Sequence, residues 1–498
     1  MKELSYQEIL RVHRRQFVIG QREFLVRSDW RTFELQPNLI LSVDPDLRVG
    51  RTKDLDGTSW FIFGLAVDTR PEFATPLEEI ARRRTEDVPS LYEGWAGRWA
   101  LVGAGCLHLD GAAMLGCYYG QNYEGELWAS SSPVLIQQAL NIPDEMVTDT
   151  HDGSKWRPSK DATVTGAVRG ISWYPPPHSS IPGVFRLLPT QILDLQRGKC
   201  QSRSLASNLE GNYNDTELFE AIQISLSTAI KHFAELNAPN DLTLLLSGGR
   251  DSRLLLSIAA ATGVPVKTYT RIHRRASLAD RVLPPQLARI AGYPYTKHYQ
   301  RQEIAGRSQA ILDHAGYNVS WLSAEEFLRG GSDPLKGIAL AGFCAALGRD
   351  RLIPMTSAQE ATGKKIAAHF CEGNSPDLTA AFDAWIALRR EDPDSCLDLC
   401  DYFFLEQRTA GRKGIKEQIF DLFPVERVAP LNSARIFALI CNLSPEAKLK
   451  ALWIPEIIKS TKPELLRYPM NPPDKYFGLL HNTLLKNPLY KRKIGIGS

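Results

Sequence analysis

The stretch that most constrains this chain is Leu242-Thr243-Leu244-Leu245-Leu246 running into Ser247-Gly248-Gly249-Arg250-Asp251-Ser252-Arg253, with an apolar, helix-compatible run over 254–261 after it. That order predicts a strand, a tight polar loop and a helix, closed by Gly263. Two glycines let the backbone turn sharply and aim several N–H groups at one point. The helix that follows directs the positive end of its dipole at the same point. Such a loop suits an anion the size of pyrophosphate. Ser247 and Ser252 add hydroxyl donors, and Asp251 can hold a Mg2+ that bridges phosphates. The plainer alternative is an ordinary turn that caps a helix. The loop is not of the Walker type, which requires Gly-x-x-x-x-Gly-Lys-Ser/Thr.

Around this loop the bulk numbers bound the answer. A chain of 498 residues holds two to four domains. With 43% hydrophobic and 23% charged residues it reads as globular rather than disordered. A net charge of +3, from 59 basic and 56 acidic residues, gives no argument for nucleic acid or an anionic membrane as partner. No apolar run approaches the ~20 residues of a membrane span, and the N-terminus lacks a signal-peptide core. The expectation is a cytoplasmic protein. The eight cysteines are dispersed, without Cys-x-x-Cys pairs. Cys396 and Cys400 have helical spacing beside Leu397 and Leu399, which points to core thiols rather than zinc ligands.

Residues 1 to about 205 read mostly as β. Short apolar runs (60–67, 99–102, 112–119, 126–129) are separated by Gly, Asp, Asn and Pro, as in antiparallel sheets. Pro76 and Pro133 each open a short helix, over 76–84 and 133–140. Residues 147–163 read as a surface loop and 196–216 as the interdomain linker. Asp215 is placed to cap a helix with Leu218, Phe219, Ile222, Leu226, Ile230 and Phe233 on one face. Strand 242–246, helix 252–262, strand 264–270 and a helix over 284–291, opened by Pro284 and Pro285, then predict a parallel, doubly wound sheet. The remainder, 300–498, reads as helices and long loops.

The loop resembles the pyrophosphatase loop of the ATP pyrophosphatase superfamily, whose members split ATP between its α and β phosphates and transfer AMP to a substrate oxygen. The whole chain is similar to the asparagine synthetase-related family. Gly94-Trp95-Ala96-Gly97-Arg98-Trp99-Ala100-Leu101 resembles that family's Leu-x-Gly-x-Phe strand, Leu127-Trp128-Ala129-Ser130-Ser131 its Phe-Ala-Ser-Glu turn, and the segment from Ile181 to Pro189 its Gly-Ile-x-x-Leu-x-Pro-Gly run. The resemblance implies a glutaminase-like antiparallel β sandwich over 1–205 and, over 206–498, an α/β ATP-binding domain of the adenine nucleotide α-hydrolase type with a helical C-terminal part. It implies an AMP-forming ligase in which ATP–Mg2+ activates a carboxylate as an acyl-adenylate and an amine then displaces AMP to form an amide. Leu245, Ser247, Gly248, Gly249, Arg250, Asp251, Ser252, Thr270 and Gly342 would hold the nucleotide, Asp251 the metal, and Asp251 and Arg253 the chemistry. Arg253 would face the β/γ phosphates or else lie on the solvated side. The implied partners are small-molecule or peptide carboxylates and amines, with no nucleic acid and no membrane.

Two departures accompany the resemblance. Glutaminases of this type need a cysteine immediately after the initiator methionine, since the thiolate is the nucleophile. Position 2 here is Lys2, so the first half is expected to hydrolyse no glutamine, as in the branches that close β-lactam or lasso-peptide rings. Leu340-Ala341-Gly342-Phe343-Cys344-Ala345-Ala346 stands where the family has Ser-Gly-Glu-Gly-Ser-Asp-Glu, so Phe343 and Ala346 replace acids, and Asp350, Glu325 and Glu326 are the candidates to supply them. Asp280 and Leu287-Ala288 match loosely the acidic and Leu-Ala positions after the second strand, and Lys448, Lys450, Lys459 and Lys462 are candidates for the family's late lysine. A catalytically impaired nucleotide-binding scaffold is the alternative reading. The basic cluster Arg271-Ile272-His273-Arg274-Arg275 could meet phosphate or be a solvated loop, Trp95 and Trp99 belong in a core, and Trp173-Tyr174-Pro175-Pro176-Pro177-His178 is a rigid extended loop.

Overall fold

The computed structural model describes residues 13–72, 75–143, 173–206, 209, 211–272, 276–299, 335–370, 376–390, 395–421 and 423–473. The expected surface loop over 147–163 lies outside them. In chain order the first strands are β1 (Phe17–Gly20), β2 (Arg31–Gln36), β3 (Leu39–Val43), β4 (Val49–Lys53), β5 (Ser59–Asp68), β6 (Trp95–Gly103), β7 (Cys106–Leu109), β8 (Tyr118–Gln121), β9 (Leu127–Ser130), β10 (Phe185–Arg186), β11 (Gln191–Asp194) and β12 (Lys199–Ser202). They form two antiparallel sheets, ordered β10-β8-β9-β1-β3-β2 and β12-β11-β7-β6-β5-β4. Phe17, Leu41 and Val43 of the first sheet pack on Phe63, Val102 and Leu109 of the second, and the Phe17 and Phe63 rings meet edge-on at 4.8 Å. Alternating burial of this kind is what makes a sandwich. Helices α1 (Pro76–Ile80) and α2 (Pro133–Ala139) each begin on the expected proline.

Two expectations fail in this half. The apolar run over 112–119 becomes a strand only from Tyr118, because the buried Asp110 carboxylate accepts the amides of Ala112, Met114 and Leu115 and winds them into a turn. The polar stretch 196–216 is not all linker, since Lys199–Ser202 pairs with β11 as an edge strand. An outermost strand exposed along its length carries no apolar alternation to read.

The second half opens with α3 (Asp215–Asn237). Its cap is Asn214, one residue earlier than expected, in a reciprocal box with Glu217. Leu218, Ile222, Leu226, Ile230 and Phe233 are buried as the spacing predicts, whereas Phe219, expected on the same face, is only half-buried at its edge. Then follow β13 (Leu242–Leu245), α4 (Asp251–Thr262), β14 (Val266–Ile272), α5 (Leu278–Ala291), β15 (Tyr295–Tyr299), β16 (Gly337–Leu340) and β17 (Val425–Val428). All five strands are parallel, in the order β15-β14-β13-β16-β17. Helix α5 starts earlier than its prolines suggest. Ser277 caps it by accepting the Asp280 amide, so Pro284 and Pro285 lie inside the helix. Between β16 and β17 run α6 (Gly363–Phe370), α7 (Pro376–Arg390) and α8, a helix of Leu399–Tyr402, a π-wound middle Phe403–Gly414 and Ile415–Phe420. After β17 come α9 (Ala434–Cys441), α10 (Pro445–Lys450), α11 (Trp453–Thr461) and a short 3-10 turn, Pro463–Arg467.

The two halves share one continuous core. Leu65, Val67, Ala96 and Met114 pack with Leu226, Ile230 and Phe233, and Leu205 and Ala206, on either side of the expected boundary, are buried in it. The fully buried Arg98 guanidinium spans the halves with a two-point bond to Asp421 (2.8 and 2.5 Å), which Arg15 joins at 3.2 Å. Among the described residues, no helix is long and apolar enough to cross a membrane.

Candidate functional site

The parallel sheet grows from its central strand β13, first through β14 and β15 on one side and then through β16 and β17 on the other. The switch point therefore lies between β13 and β16, which pair at Thr243/Ala339 and Leu244/Leu340. Ligands of open parallel sheets bind beyond the carboxyl ends of strands at such a point. Here the loops after β13 and after β16 meet. A side chain at Gly342 would stand 2.7 Å from Asp251 Cβ and 2.9 Å from its carbonyl carbon, so only glycine permits the approach.

The loop after β13 is held by its own side chains. Ser252 Oγ accepts the Ser247 amide at 3.0 Å and lies 2.9 Å from Ser247 Oγ, which accepts the Gly249 amide at 3.2 Å. Asp280 Oδ1 accepts the Gly248 amide at 2.8 Å, so the acid matched loosely in sequence does stand at the loop. Gly248 packs on the Ala279 backbone so closely that an added Cβ would fall 2.9 Å from it. The expectation that several loop N–H groups converge on one bound anion is thus altered, because those of Gly248 and Gly249 are taken by side-chain oxygens. The first-turn amides of α4, at Asp251, Ser252 and Arg253, have no acceptor within the helix. Arg250 reaches across to the Lys450 carbonyl at 3.5 Å.

Arg253 neither faces the open side of the loop nor lies in solvent. It is fully buried and donates to the carbonyls of Gly248 (3.2 Å), Leu465 (3.2 Å), Tyr468 and Pro469 (3.1 Å). Burial pulls its guanidinium down to about 10, still charged at neutral pH. It clamps the segment after α11 onto the loop from behind, aided by the Asn471 amide on the Gly248 carbonyl at 3.2 Å. All four bonds go to backbone carbonyls, so the Arg253 guanidinium ties the loop to the segment after α11. At the neighbouring strand ends, Thr270 Oγ1 donates to the Leu246 carbonyl at 2.7 Å, and the half-buried Leu245 pairs with Tyr269.

Asp251 meets a cation where an acid was expected. Arg349 Nη1 lies 3.3 Å from Asp251 Oδ1, and Arg349 Nε lies 3.1 Å from Asp350 Oδ1. Burial pushes the Asp251 carboxyl above the usual range, the Asp350 charge adds to this, and Arg349 opposes it. Phe343 lies under the Lys413 ammonium (3.8 Å to the ring centroid) and the Arg427 guanidinium (5.1 Å), so it is a cation platform. Of the acids proposed to replace the missing ones, Asp350 is at the site, and Glu325 and Glu326 lie outside the described residues. The expected Mg2+ does not fit this donor set. Asp251 and Asp350 each already give an oxygen to the Arg349 guanidinium, which holds the place a cation between them would take.

Of the four late lysines, Lys448 alone reaches toward these loops from a buried position. It pairs with Asp401 at 2.6 Å, and Asp401 also accepts the Gly348 amide at 3.1 Å. Lys450, Lys459 and Lys462 pair with Glu446, Glu456 and Glu464 on their own helix ends. Arg349 and Asp401 were missed in sequence, since each is a lone charge without motif spacing.

A scan against protein-family profiles finds no match, and no curated protein matches the chain. Among solved structures the chain is similar to the NMN synthetase from Francisella tularensis, at 14% identity and a TM-score of 0.20, over 52% of this chain and 99% of that one.

Of the remaining sequence signals, the tryptophans, the proline-rich loop and the helix-spaced Cys396 and Cys400 are packed into the fold. Trp95 and Trp99 are buried and meet edge-on at 5.5 Å. Trp173 is buried and the Pro176 carbonyl accepts from Gln407 of α8, so that extended loop is covered by the second half. The thiols of Cys396 and Cys400 donate to backbone carbonyls. Arg271 stacks over Phe420 at 5.9 Å, and His273, Arg274 and Arg275 lie outside the described residues.

Proposed function

We propose that this protein is an AMP-forming amide-bond ligase of the asparagine synthetase type, without glutaminase activity of its own. The observation that carries the reading is the position of the Ser-Gly-Gly-Arg-Asp-Ser loop at the switch point of a parallel sheet, opening a helix whose first-turn amides lack acceptors. In this reading ATP lays its β and γ phosphates on the first turn of α4, with its base toward Leu245 and Thr270. A substrate carboxylate attacks the α-phosphorus, pyrophosphate leaves, and an amine displaces AMP from the acyl-adenylate. The chain's own contribution is electrostatic and positional: first-turn amides and fixed cations face the charge that moves onto the leaving diphosphate. Arg349 is one such cation, and Lys448 serves as the late lysine, held by Asp401. Arg253 fixes the loop, Asp280 fixes Gly248, and Gly342 allows the second loop to close on the first.

The test is nucleotide turnover with a panel of carboxylates and amines. AMP and pyrophosphate should form, and Asp251→Ala, which removes a carboxylate that seats Arg349, should lower carboxylate-dependent ATP–pyrophosphate exchange by roughly tenfold or more while the protein stays folded. Release of ADP and phosphate, or undiminished exchange in Asp251→Ala, would refute the mechanism. The scaffold reading draws on one observation, the replacement of expected acids by Phe343 and Ala346. It is favoured if ATP binds and no carboxylate yields AMP.

A further inference from the structure

We propose that Arg349 stands in for the divalent cation at the diphosphate site, so that the protein binds ATP and pyrophosphate without a metal ion. This rests on the nucleotide reading above and specifies how that site balances charge.

Three observations carry it. The first is occupancy. Mg2+ would approach the Asp251 carboxylate, where its bond length to oxygen is about 2.0–2.1 Å. The Arg349 guanidinium already sits against that carboxylate at 3.3 Å and against Asp350 at 3.1 Å, so the place between the two acids is held by a cation of the chain's own. The second is construction. The loop after β16 is built to hold Arg349 there. The Ala346 carbonyl accepts the amides of both Arg349 (3.1 Å) and Asp350 (3.0 Å). Gly348 adopts φ 76, where a side chain would be strained and would run into Lys448. Its amide is fixed by Asp401, itself paired with Lys448. The alternatives at this spot are blocked: Gly342 has no room for a side chain, Phe343 is under two cations, and Ala346 carries no donor.

The third is residual donor capacity. A guanidinium has about five N–H groups in a fixed fork. Arg349 commits Nη1 to Asp251 and Nε to Asp350, leaving Nη2 and the second Nη1 hydrogen for an incoming oxygen. Its side chain is 21% exposed. Guanidinium forks match phosphate oxygens in two-point contact, and the charge is permanent. The two carboxylates set the fork at a fixed angle, as they would have set a metal.

The test is titration of the full chain with ATP, and separately with inorganic pyrophosphate, by calorimetry in excess EDTA and in millimolar Mg2+. The expected result is an affinity in EDTA within about threefold of that in Mg2+, since Arg349 already supplies a permanent positive charge at both carboxylates. Arg349→Ala should weaken binding in EDTA by roughly tenfold to a hundredfold, the size of lost charge-assisted bonds. It should also make binding depend on Mg2+, because Asp251 and Asp350 are left without a counter-ion. Arg349→Lys, which keeps the charge and loses the fork, should fall between, and thermal melts of both variants control for folding. Binding by the natural chain only when Mg2+ is present, or Arg349→Ala binding as tightly as the natural chain in EDTA, overturns the inference and leaves the nucleotide reading standing. No binding of ATP or pyrophosphate in either condition removes the nucleotide reading and this inference together.

Discussion

Replacing Gly342 with alanine tests whether the contact between the two loops makes the site. The new methyl would stand 2.7 Å from Asp251 Cβ, whereas ordinary contact begins at 3.4 Å, so the backbones must part by about 0.7 Å. The neighbours are a Cβ, a carbonyl carbon and the Ser252 amide nitrogen, none of them the free end of a flexible side chain. Overpacking of this size costs about 1–3 kcal/mol of stability. The functional effect should be larger in proportion, because the atoms pushed apart carry Asp251 and the open amides of α4. A misplacement approaching 1 Å at a reacting centre lowers turnover by up to roughly a hundredfold. Gly263→Ala is the control. It introduces a left-handed alanine (φ 69) with nothing within 4 Å, far along the same helix, so it should cost stability by about 1–2 kcal/mol without changing nucleotide affinity. Calorimetric ATP affinity, AMP release and thermal melts of the three proteins give the comparison. If Gly342→Ala binds and turns over like the natural chain, or if both variants lose affinity equally, the site is not formed by these two loops.

Two further outcomes follow from buried charge. Asp421→Ala should destabilise the chain by about 3–5 kcal/mol, because it leaves the fully buried Arg98 without its counter-ion; urea melts should show this, and an Arg98→Met/Asp421→Leu pair should recover most of the loss. His108 is buried beside Tyr92 Oη (3.1 Å), and burial lowers its pKa from 6.5 to about 3, so the folded imidazole stays neutral and unfolding takes up a proton. Its contribution is full above pH 6.5 and is lost as pH falls toward 3, at up to about 1.4 kcal/mol per pH unit. His108→Gln should flatten the fall of unfolding free energy over that window by up to this amount in urea melts taken at each pH, and an unchanged slope would rule the group out.

What was legible in the sequence is what short-range chemistry writes. The strand–loop–helix around Gly248 and Gly249, the buried face of α3 and the proline-opened helices each carry their cause within a few residues. Three strands of the parallel sheet were not legible. Tyr295–Tyr299, Gly337–Leu340 and Val425–Val428 are only four or five residues long and sit among helices, so no period of two can build up. The start of α5 was hidden because Pro284 and Pro285 are louder signals than the Ser277 cap that sets it. At the site, Asp251 and Gly342 could be paired from their motif positions. The role of Arg253 could not, since its four acceptors include three carbonyls more than 200 residues away. Arg349 was equally hidden, as a charge in a loop means nothing until the loop is folded against another.

The first half carries no cysteine at position 2, yet it acts on the site through α8. That helix ends at Phe420, next to Asp421, which Arg98 grips, and Thr190 and Pro176 hold its middle through Glu406 and Gln407. Its first turn carries Asp401, which fixes Gly348 and so the placement of Arg349; its later part carries Lys413, which covers Phe343. The chain of contacts thus runs from the buried Arg98 in the sandwich along α8 to the buried Asp401 and Gly348, and ends at the half-buried Arg349 on Asp251. A half kept only for bulk would need no such line of fixed polar contacts. Asp421→Ala should therefore weaken ATP binding as well as stability at temperatures where the variant is folded. Under those conditions, a variant that melts early yet binds ATP with full affinity would show that the sandwich stabilises the second half without positioning its site.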